Sequence, residues 1–354
     1  MQNSKSKRNS KKILVVPAAG RSSRFPGDQP KWLLTHPQGR LMIEEVISGL
    51  KLEEYDEAHI VILKEHCEKY LADVKIKQIF GDAINITILD KPTNSAPETV
   101  VRCIELNDLE GTIVVKDCDC LVSFTMPEDH TFVVGLDIHS QNVKNITSKS
   151  FIQYDDNNII KNIVEKKVIS DLICLGVYAI PSEDLLNSYY ALSSIATSEL
   201  YFSHIISLLI SKGEVFSFVL ADNFLDWGTS EEWYEYTSNL RTYIFDIDGI
   251  FLENRGRYGV ETWENTFIPI EENIKVLSNL SEGGAEIIFI TSRTEEYLNQ
   301  FKDYLKSNNI NYKVIISGCN HNKRIIVNDF STTNPYPSCE ALNIPRNNLL
   351  GDYL

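Results

Sequence analysis

Apolar residues fall along this chain in short blocks, with stretches of helical periodicity between several of them. Ile13-Leu14-Val15-Val16 is a continuous apolar run of the kind that fills a strand buried on both faces. Ile43, Val46, Ile47 and Leu50 then recur at the spacing of one helix face. Further strand-like runs lie at Ile60 to Leu63, Ile84 to Leu89, Thr112 to Val115 and Thr131 to Val134. Such alternation predicts an α/β unit whose mainly parallel sheet is covered on both faces. Asp155-Asp156-Asn157-Asn158, a strong turn signal, lies between Phe151 to Tyr154 and Ile159 to Val164 and predicts a hairpin. Glu199 to Ser211 has the stripe of an amphipathic helix.

The pattern restarts near Arg241. Thr242-Tyr243-Ile244-Phe245 reads as a strand that runs into Asp246-Ile247-Asp248-Gly249. A helix from Glu271, a strand at Ile287 to Ile290, a helix from Glu295 and strands near Val314 and Ile325 follow. The expected division is therefore a basic, disordered tail over 1–11, a larger α/β domain over 12–240 and a smaller one over 241–354.

Composition narrows the function. At 354 residues, 43% hydrophobic and 23% charged, the chain fits the globular class, and its length suits two domains. A net charge of -15 argues against nucleic acid as the main partner, although a local pocket can still be basic. Lys5, Lys7, Arg8, Lys11 and Lys12 make the start of the chain basic without an apolar core, and no apolar run is long enough to span a bilayer. The seven cysteines show no C-x-x-C pair, which suits reduced thiols and a cytoplasmic location.

Chemistry concentrates at strand ends. Pro17-Ala18-Ala19-Gly20-Arg21-Ser22-Ser23-Arg24-Phe25, then Pro30-Lys31, begins where the first strand stops, which is where open parallel sheets bind ligands. Small residues let the backbone approach a ligand, its N–H groups can cradle phosphate, and Arg21, Arg24 and Lys31 supply the cations a triphosphate needs. Asp117 and Asp119 stand at the end of another strand, as a site for a hard cation such as Mg²⁺ requires.

At these residues the chain resembles the sugar-phosphate nucleotidyltransferase family. The resemblance implies that Ala18, Ala19, Gly20, Arg21 and Arg24 hold the triphosphate and that Lys31 bridges its phosphates. Pro17 departs from the usual apolar first residue of that loop. The resemblance further implies a metal ligand at Asp119, with Asp117 second. A partner ligand is implied at Asp226, within Asp226-Trp227-Gly228-Thr229, a stretch that could equally be a helix start capped by Thr229 or Ser230. Pro92 to Thr99 is similar to the family's nucleobase segment, which brings in Ser95 and Glu98; Ser95 or Thr93 could equally cap a helix. Glu165-Lys166 corresponds to the pair that meets the acceptor, or is a solvent-exposed ion pair.

Asp246-Ile247-Asp248-Gly249 resembles the first motif of the haloacid dehalogenase superfamily. The resemblance implies a nucleophile at Asp246, an acid/base at Asp248, a phosphoryl-binding hydroxyl at Thr291, a cation at Lys323 and a metal ligand at Asp329. Asp246 and Asp248 would also meet Mg²⁺. Ile250 stands where that superfamily usually has Thr, which puts turnover in question and leaves open a degenerate domain that stabilises the enzyme or its oligomer.

The function expected is transfer of a nucleoside monophosphate from an NTP, CTP before UTP, to a sugar or polyol phosphate. The product would be a surface-polysaccharide precursor, and a phosphatase activity would sit beside the transferase. The expected partners are the NTP, the phosphorylated acceptor and a second copy of the chain. The alternatives are a metal-dependent glycosyltransferase, or a phosphatase with a non-catalytic nucleotide-binding domain.

Overall fold

The structure, a computed structural model, describes residues 11–20, 25, 29–128, 131–140, 143–254, 259, 263, 267–329 and 339–354. Residues 1–10 of the tail expected over 1–11, and the cations Arg21 and Arg24, lie outside the described residues. The chain divides into two compact units, Met1–Trp233 and Tyr234–Leu354.

The first unit begins with β1 (Lys12–Pro17), α1 (Met42–Ser48), β2 (Glu57–Leu63), α2 (Lys64–Tyr70), α3 (Ala72–Phe80), β3 (Asn85–Leu89), α4 (Ala96–Asn107), β4 (Thr112–Lys116) and β5 (Cys120–Ser123). It continues with β6 (Phe132–Asp137), β7 (Ser150–Tyr154), β8 (Ile160–Glu165), β9 (Leu172–Pro181), α5 (Ser182–Ser193), α6 (Phe202–Ser211), β10 (Ser217–Leu220), β11 (Asn223–Asp226) and α7 (Ser230–Ser238), the last crossing the division between units. Its main sheet runs β10-β6-β9-β4-β1-β2-β3, with β7 and β8 joined to β9. Strands β3, β2, β1 and β4 are parallel, and β10 is parallel to β6.

The apolar runs behave as period-two geometry demands. In β1, Leu14 and Val16 enter one core cluster while Ile13 and Val15 enter the other. In β4, Val114 goes to the first and Ile113 and Val115 to the second. Both sheet faces are therefore packed. The hairpin lies where the turn signal placed it, with Asn158 at φ 61° in its turn. One departure from the parallel pattern is β9, which is antiparallel to both β4 and β6 and lies between them. Outside the main sheet, β11 pairs antiparallel with β5, setting Asp226 opposite Cys120.

The second unit holds β12 (Thr242–Phe245), α8 (Glu271–Glu282), β13 (Glu286–Ile290), α9 (Asn299–Ser307) and β14 (Val314–Ile316), with the three strands parallel in the order β12-β13-β14. Its core joins Phe245, Ile287 and Phe289 to Ile274 and Leu277 of α8 and to Phe301 and Leu305 of α9. The strand expected near Ile325 does not form: residues 321–329 have no regular structure, and Ile325 and Val327 are 77% and 90% exposed. An apolar run specifies a strand only where a neighbour pairs with it and covers it. Among the described residues no helix is long and apolar enough to cross a membrane.

Candidate active site

The loop after β1 starts from a fixed base. Ala18 and Ala19 are buried, Ala18 N–H donates to Val61 O at 2.8 Å, and Trp32 Nε1 donates to Ala18 O at 2.9 Å. Gly20 is exposed, and a Cβ built there would meet nothing within 4 Å, so packing does not demand glycine at this position. Trp32 and Leu33, buried in a 3-10 turn, anchor Lys31. Its ammonium forms an ion pair with the Asp119 carboxylate and lies 5.7 Å from the centroid of the Phe25 ring.

Where β4 ends, Lys116 is fully buried. Its Nζ donates to Asp117 O at 2.7 Å and Cys120 O at 2.6 Å, so the turn that carries the two acids is strapped at both ends. Asp117 N–H donates to Gly176 O at 2.9 Å and Trp227 N–H donates to Asp119 O at 2.9 Å. These bonds join the turn to β9 on one side and to the chain after β11 on the other.

Asp119 and Asp226, far apart in sequence, converge on Gly228. A Cβ built on that glycine would lie 3.3 Å from Asp226 Oδ1 and 3.6 Å from Asp119 Oδ2. Each acid has its own cation: Lys31 on Asp119 and Lys149 on Asp226. Burial opposes the Asp119 charge, yet Lys31, by charge and hydrogen bond, holds its carboxyl well below the ordinary value. Burial raises Asp117, and the neighbouring Asp119 charge adds to the rise. Burial also raises Asp226 in spite of Lys149. Among the described residues no three His, Cys, Asp or Glu side chains form a metal cage. The pair of hard carboxylate oxygens nevertheless suits Mg²⁺, which takes one or two carboxylates and completes its shell with water and phosphate.

No protein-family model matches the chain, and no curated protein matches it in sequence. Solved structures do match. The nucleoside-diphosphate-sugar pyrophosphorylase of Vibrio cholerae RC9 is 21% identical, with a TM-score of 0.56 over 64% of this chain and 99% of that one. The inositol-1-phosphate CTP transferase of T. maritima is 14% identical, with a TM-score of 0.51 over 65% and 96%. The UTP-bound UGPase of Acinetobacter baumannii is 15% identical, with a TM-score of 0.50 over 64% and 92%. The shared fold is that of nucleotidyltransferases.

The remaining sequence candidates of the first unit are in structural bonds. Ser95 caps α4, its Oγ accepting from Glu98 N–H at 3.3 Å, and Glu98 Oε2 accepts from Asn94 N–H at 2.8 Å. Glu165 accepts from the hydroxyls of Ser150 and Ser203. Lys166 donates to Tyr201 Oη at 2.7 Å and lies 4.3 Å from that ring's centroid. Sequence reasoning passed over Lys149, Lys116 and Glu232. Lys149 and Lys116 carry no spacing signal. Glu232 does, because Thr229-x-x-Glu232 is a capping box: Thr229 Oγ1 accepts from Glu232 N–H at 3.2 Å and Glu232 Oε2 accepts from Thr229 N–H at 2.9 Å.

In the second unit Asp246 and Asp248 follow β12, and Thr291 follows β13, whose Phe289 is in register with Phe245. Thr291 is buried, and its Oγ1 accepts from Arg293 N–H at 3.1 Å. Arg293, also buried, clamps Asp248 through Nε, at 3.1 and 3.0 Å from the two oxygens, and through Nη2 at 2.6 Å. The cation on Asp246 is Arg324, at 3.1 Å, one residue beyond Lys323, which is exposed. Burial raises Asp246 even so. Asp329 is exposed on the irregular segment.

Proposed function

We propose that the first unit transfers a nucleoside monophosphate from an NTP to a sugar or polyol phosphate and releases pyrophosphate. The observation that carries this reading is the convergence of Asp119 and Asp226 at Gly228, with Lys31 on Asp119 beside the loop after β1. The structures that share its fold include a nucleoside-diphosphate-sugar pyrophosphorylase, an inositol-1-phosphate CTP transferase and a UTP-bound UGPase, which supports the same reaction class.

Asp119 and Asp226 would hold Mg²⁺, which when bound supplies positive charge against the phosphates. The loop over 17–20 would present its N–H groups to the triphosphate, and the open space at Gly20 leaves room for a close approach. Lys31 would turn from Asp119 to the phosphates and meet the charge that grows as the α-phosphorus is attacked. The acceptor phosphate is already ionised at neutral pH. One of its oxygens bonds to the α-phosphorus while the bond to the pyrophosphate oxygen breaks, without a general base. CTP is the first NTP to try, then UTP, and the product would serve as a surface-polysaccharide precursor. A glycosyltransferase has less support, because Lys31 at the acids answers the charge of a triphosphate. The test is pyrophosphate release from four NTPs against a panel of sugar and polyol phosphates, with and without Mg²⁺. Release with none of them would reject the reading.

A second reading is supported by Asp246, Asp248 and Thr291 at the ends of adjacent strands β12 and β13. The second unit would hydrolyse a phosphomonoester, with Asp246 as nucleophile, Asp248 as acid/base and Thr291 and Lys323 on the phosphoryl group. Mg²⁺ would be held by Asp246 and Asp329; Arg293 engages both carboxylate oxygens of Asp248, which departs from its expected place as a third ligand. Phosphate release from phosphorylated sugars, compared between the wild type and Asp246→Asn, tests it.

A further inference from the structure

Lys149 is fixed at its backbone and movable at its tip. Its N–H donates to Ile146 O at 3.0 Å, and its carbonyl accepts from Lys166 N–H at 3.0 Å. The turn that leads to it is tied down as well, since Asn145 Nδ2 donates to Glu232 Oε1 at 2.7 Å. From this base the side chain passes Phe224, with Nζ 5.7 Å from the ring centroid, and ends on Asp226. Burial opposes its charge, but Asp226 keeps it above the ordinary lysine value.

We propose that Lys149 is the cation that receives the acceptor's phosphate, exchanging Asp226 for that phosphate when the site fills. The inference rests on the nucleotidyl-transfer reading. Asp226 oxygens that turn to a divalent cation give up the Lys149 ammonium. A half-buried ammonium that loses its carboxylate needs another anion, because an uncompensated charge in such a place is costly. Lysine suits the exchange: a compact charge on a four-carbon stem swings while its backbone stays in place. The triphosphate has Lys31, which reaches Asp119 from the loop after β1. Lys149 arrives from a different element and pairs with the other acid, so the incoming phosphate meets a cation of its own. Lys166, just beyond the end of β8, is directed at Tyr201 instead.

The exchange makes a thermodynamic demand. Mg²⁺ and phosphate must tighten each other's binding, because each removes one half of the Lys149–Asp226 pair. The experiment is calorimetric titration of the full chain with Mg²⁺ alone and with Mg²⁺ in the presence of inorganic phosphate. The proteins are the wild type, Lys149→Met and Lys149→Arg, with thermal melts to confirm folding. In the wild type, phosphate should tighten Mg²⁺ by roughly tenfold. In Lys149→Met, Mg²⁺ alone should bind tighter than in the wild type and the phosphate effect should vanish; Lys149→Arg should retain it. In turnover, Lys149→Met should raise the acceptor KM by roughly tenfold or more and move the NTP KM by less than about threefold. If Lys149→Met fails to fold, Lys149→Gln takes its place.

An equal phosphate effect in wild type and Lys149→Met would overturn the inference, as would no effect in the wild type. Failure of the transfer reading is a separate result. A wild type that releases no pyrophosphate from any NTP and acceptor would reject that reading, while the Mg²⁺ and phosphate titration still decides the role of Lys149.

Discussion

Gly176→Ala tests how the acids are held in place. Gly176 lies in β9 with φ 71°, and its carbonyl accepts from Asp117 N–H at 2.9 Å, so the peptide is not free to turn. A Cβ built there would stand 2.3 Å from Asp117 Oδ2 and 2.7 Å from Asp117 Cγ. The left-handed backbone costs a non-glycine residue about 1–2 kcal/mol. Pushing Asp117 off its rotamer adds about 0.5–1.5 kcal/mol, for a total of about 1.5–3.5 kcal/mol. Gly39→Ala is the control: its φ is 88°, but a Cβ there meets nothing within 4 Å, so it bears the backbone cost alone. Urea unfolding followed by tryptophan fluorescence reads mainly the first unit, which holds three of the four tryptophans, and Trp263 of the second unit adds the same background to both variants. Gly176→Ala should lose more stability than Gly39→Ala, and its transfer rate should fall because Asp117 has moved. A loss no greater than in the control would show that Asp117 does not press on Gly176, and the account of how the turn is positioned would be wrong.

Three further outcomes are expected. Asp119→Ala and Asp226→Ala should each remove most Mg²⁺-dependent pyrophosphate release while the chain still folds, with a lowered melting temperature because each leaves Lys31 or Lys149 without its carboxylate; normal release from either would take that acid out of the site. Asp246→Asn should silence phosphate release and leave nucleotidyl transfer nearly intact, since the two sets of acids rest on separate sheets; loss of both activities together would argue for coupled sites. Burial lowers His66 below the free histidine value, and its Nδ1 accepts from Leu63 N–H at 3.4 Å. The unfolded chain therefore takes up the proton first, and the stability due to neutral His66 is complete above about pH 6.5 and is lost as pH falls below it. The stability gap between wild type and His66→Gln should shrink from pH 7.5 to 5.5, and a constant gap would refute the assignment.

The strands most legible in the sequence are those buried on both faces, because such strands must be apolar throughout. Strands β1, β2 and β4 announce themselves in this way, and the Asp155–Asn158 turn announces the hairpin. Strand β9 is apolar as well, but no local pattern says that it runs antiparallel between β4 and β6; that placement comes from tertiary pairing. The run at Ile325 shows the converse, an apolar segment that reads as a strand and has no regular structure. At the site, Lys31, Asp119 and Asp226 stand out because loops at strand ends concentrate small and charged residues. Lys149 sits between Ser148 and Ser150 with no motif around it, and its place at Asp226 arises only once the hairpin and β11 are folded. Arg324, the cation found on Asp246, has no signal in the sequence, since neighbouring cations on an irregular segment have no periodicity to separate them.

The pairing of two acids with two lysines answers a stress that the carboxylates put on each other. Asp119 and Asp226 are held close together and half out of water, where like charges repel and each loses hydration. Without compensation the chain would spread them apart or protonate them, and either response would spoil a ready site. Lys31 and Lys149 remove that stress while the site waits. Because an ammonium is monovalent and flexible, it yields to a divalent cation that a rigid, bidentate guanidinium would resist. The second unit shows the contrast. There Arg293 grips Asp248 through Nε and Nη2 from a buried position, so that carboxylate is held in one orientation. Lysine at Asp119 and Asp226 thus fits acids that must change partners, and arginine at Asp248 fits an acid that must keep its place. Exchanging the two kinds of cation is the direct check: Lys31→Arg should weaken Mg²⁺-dependent transfer even though the charge is kept, and full activity in that variant would defeat the argument.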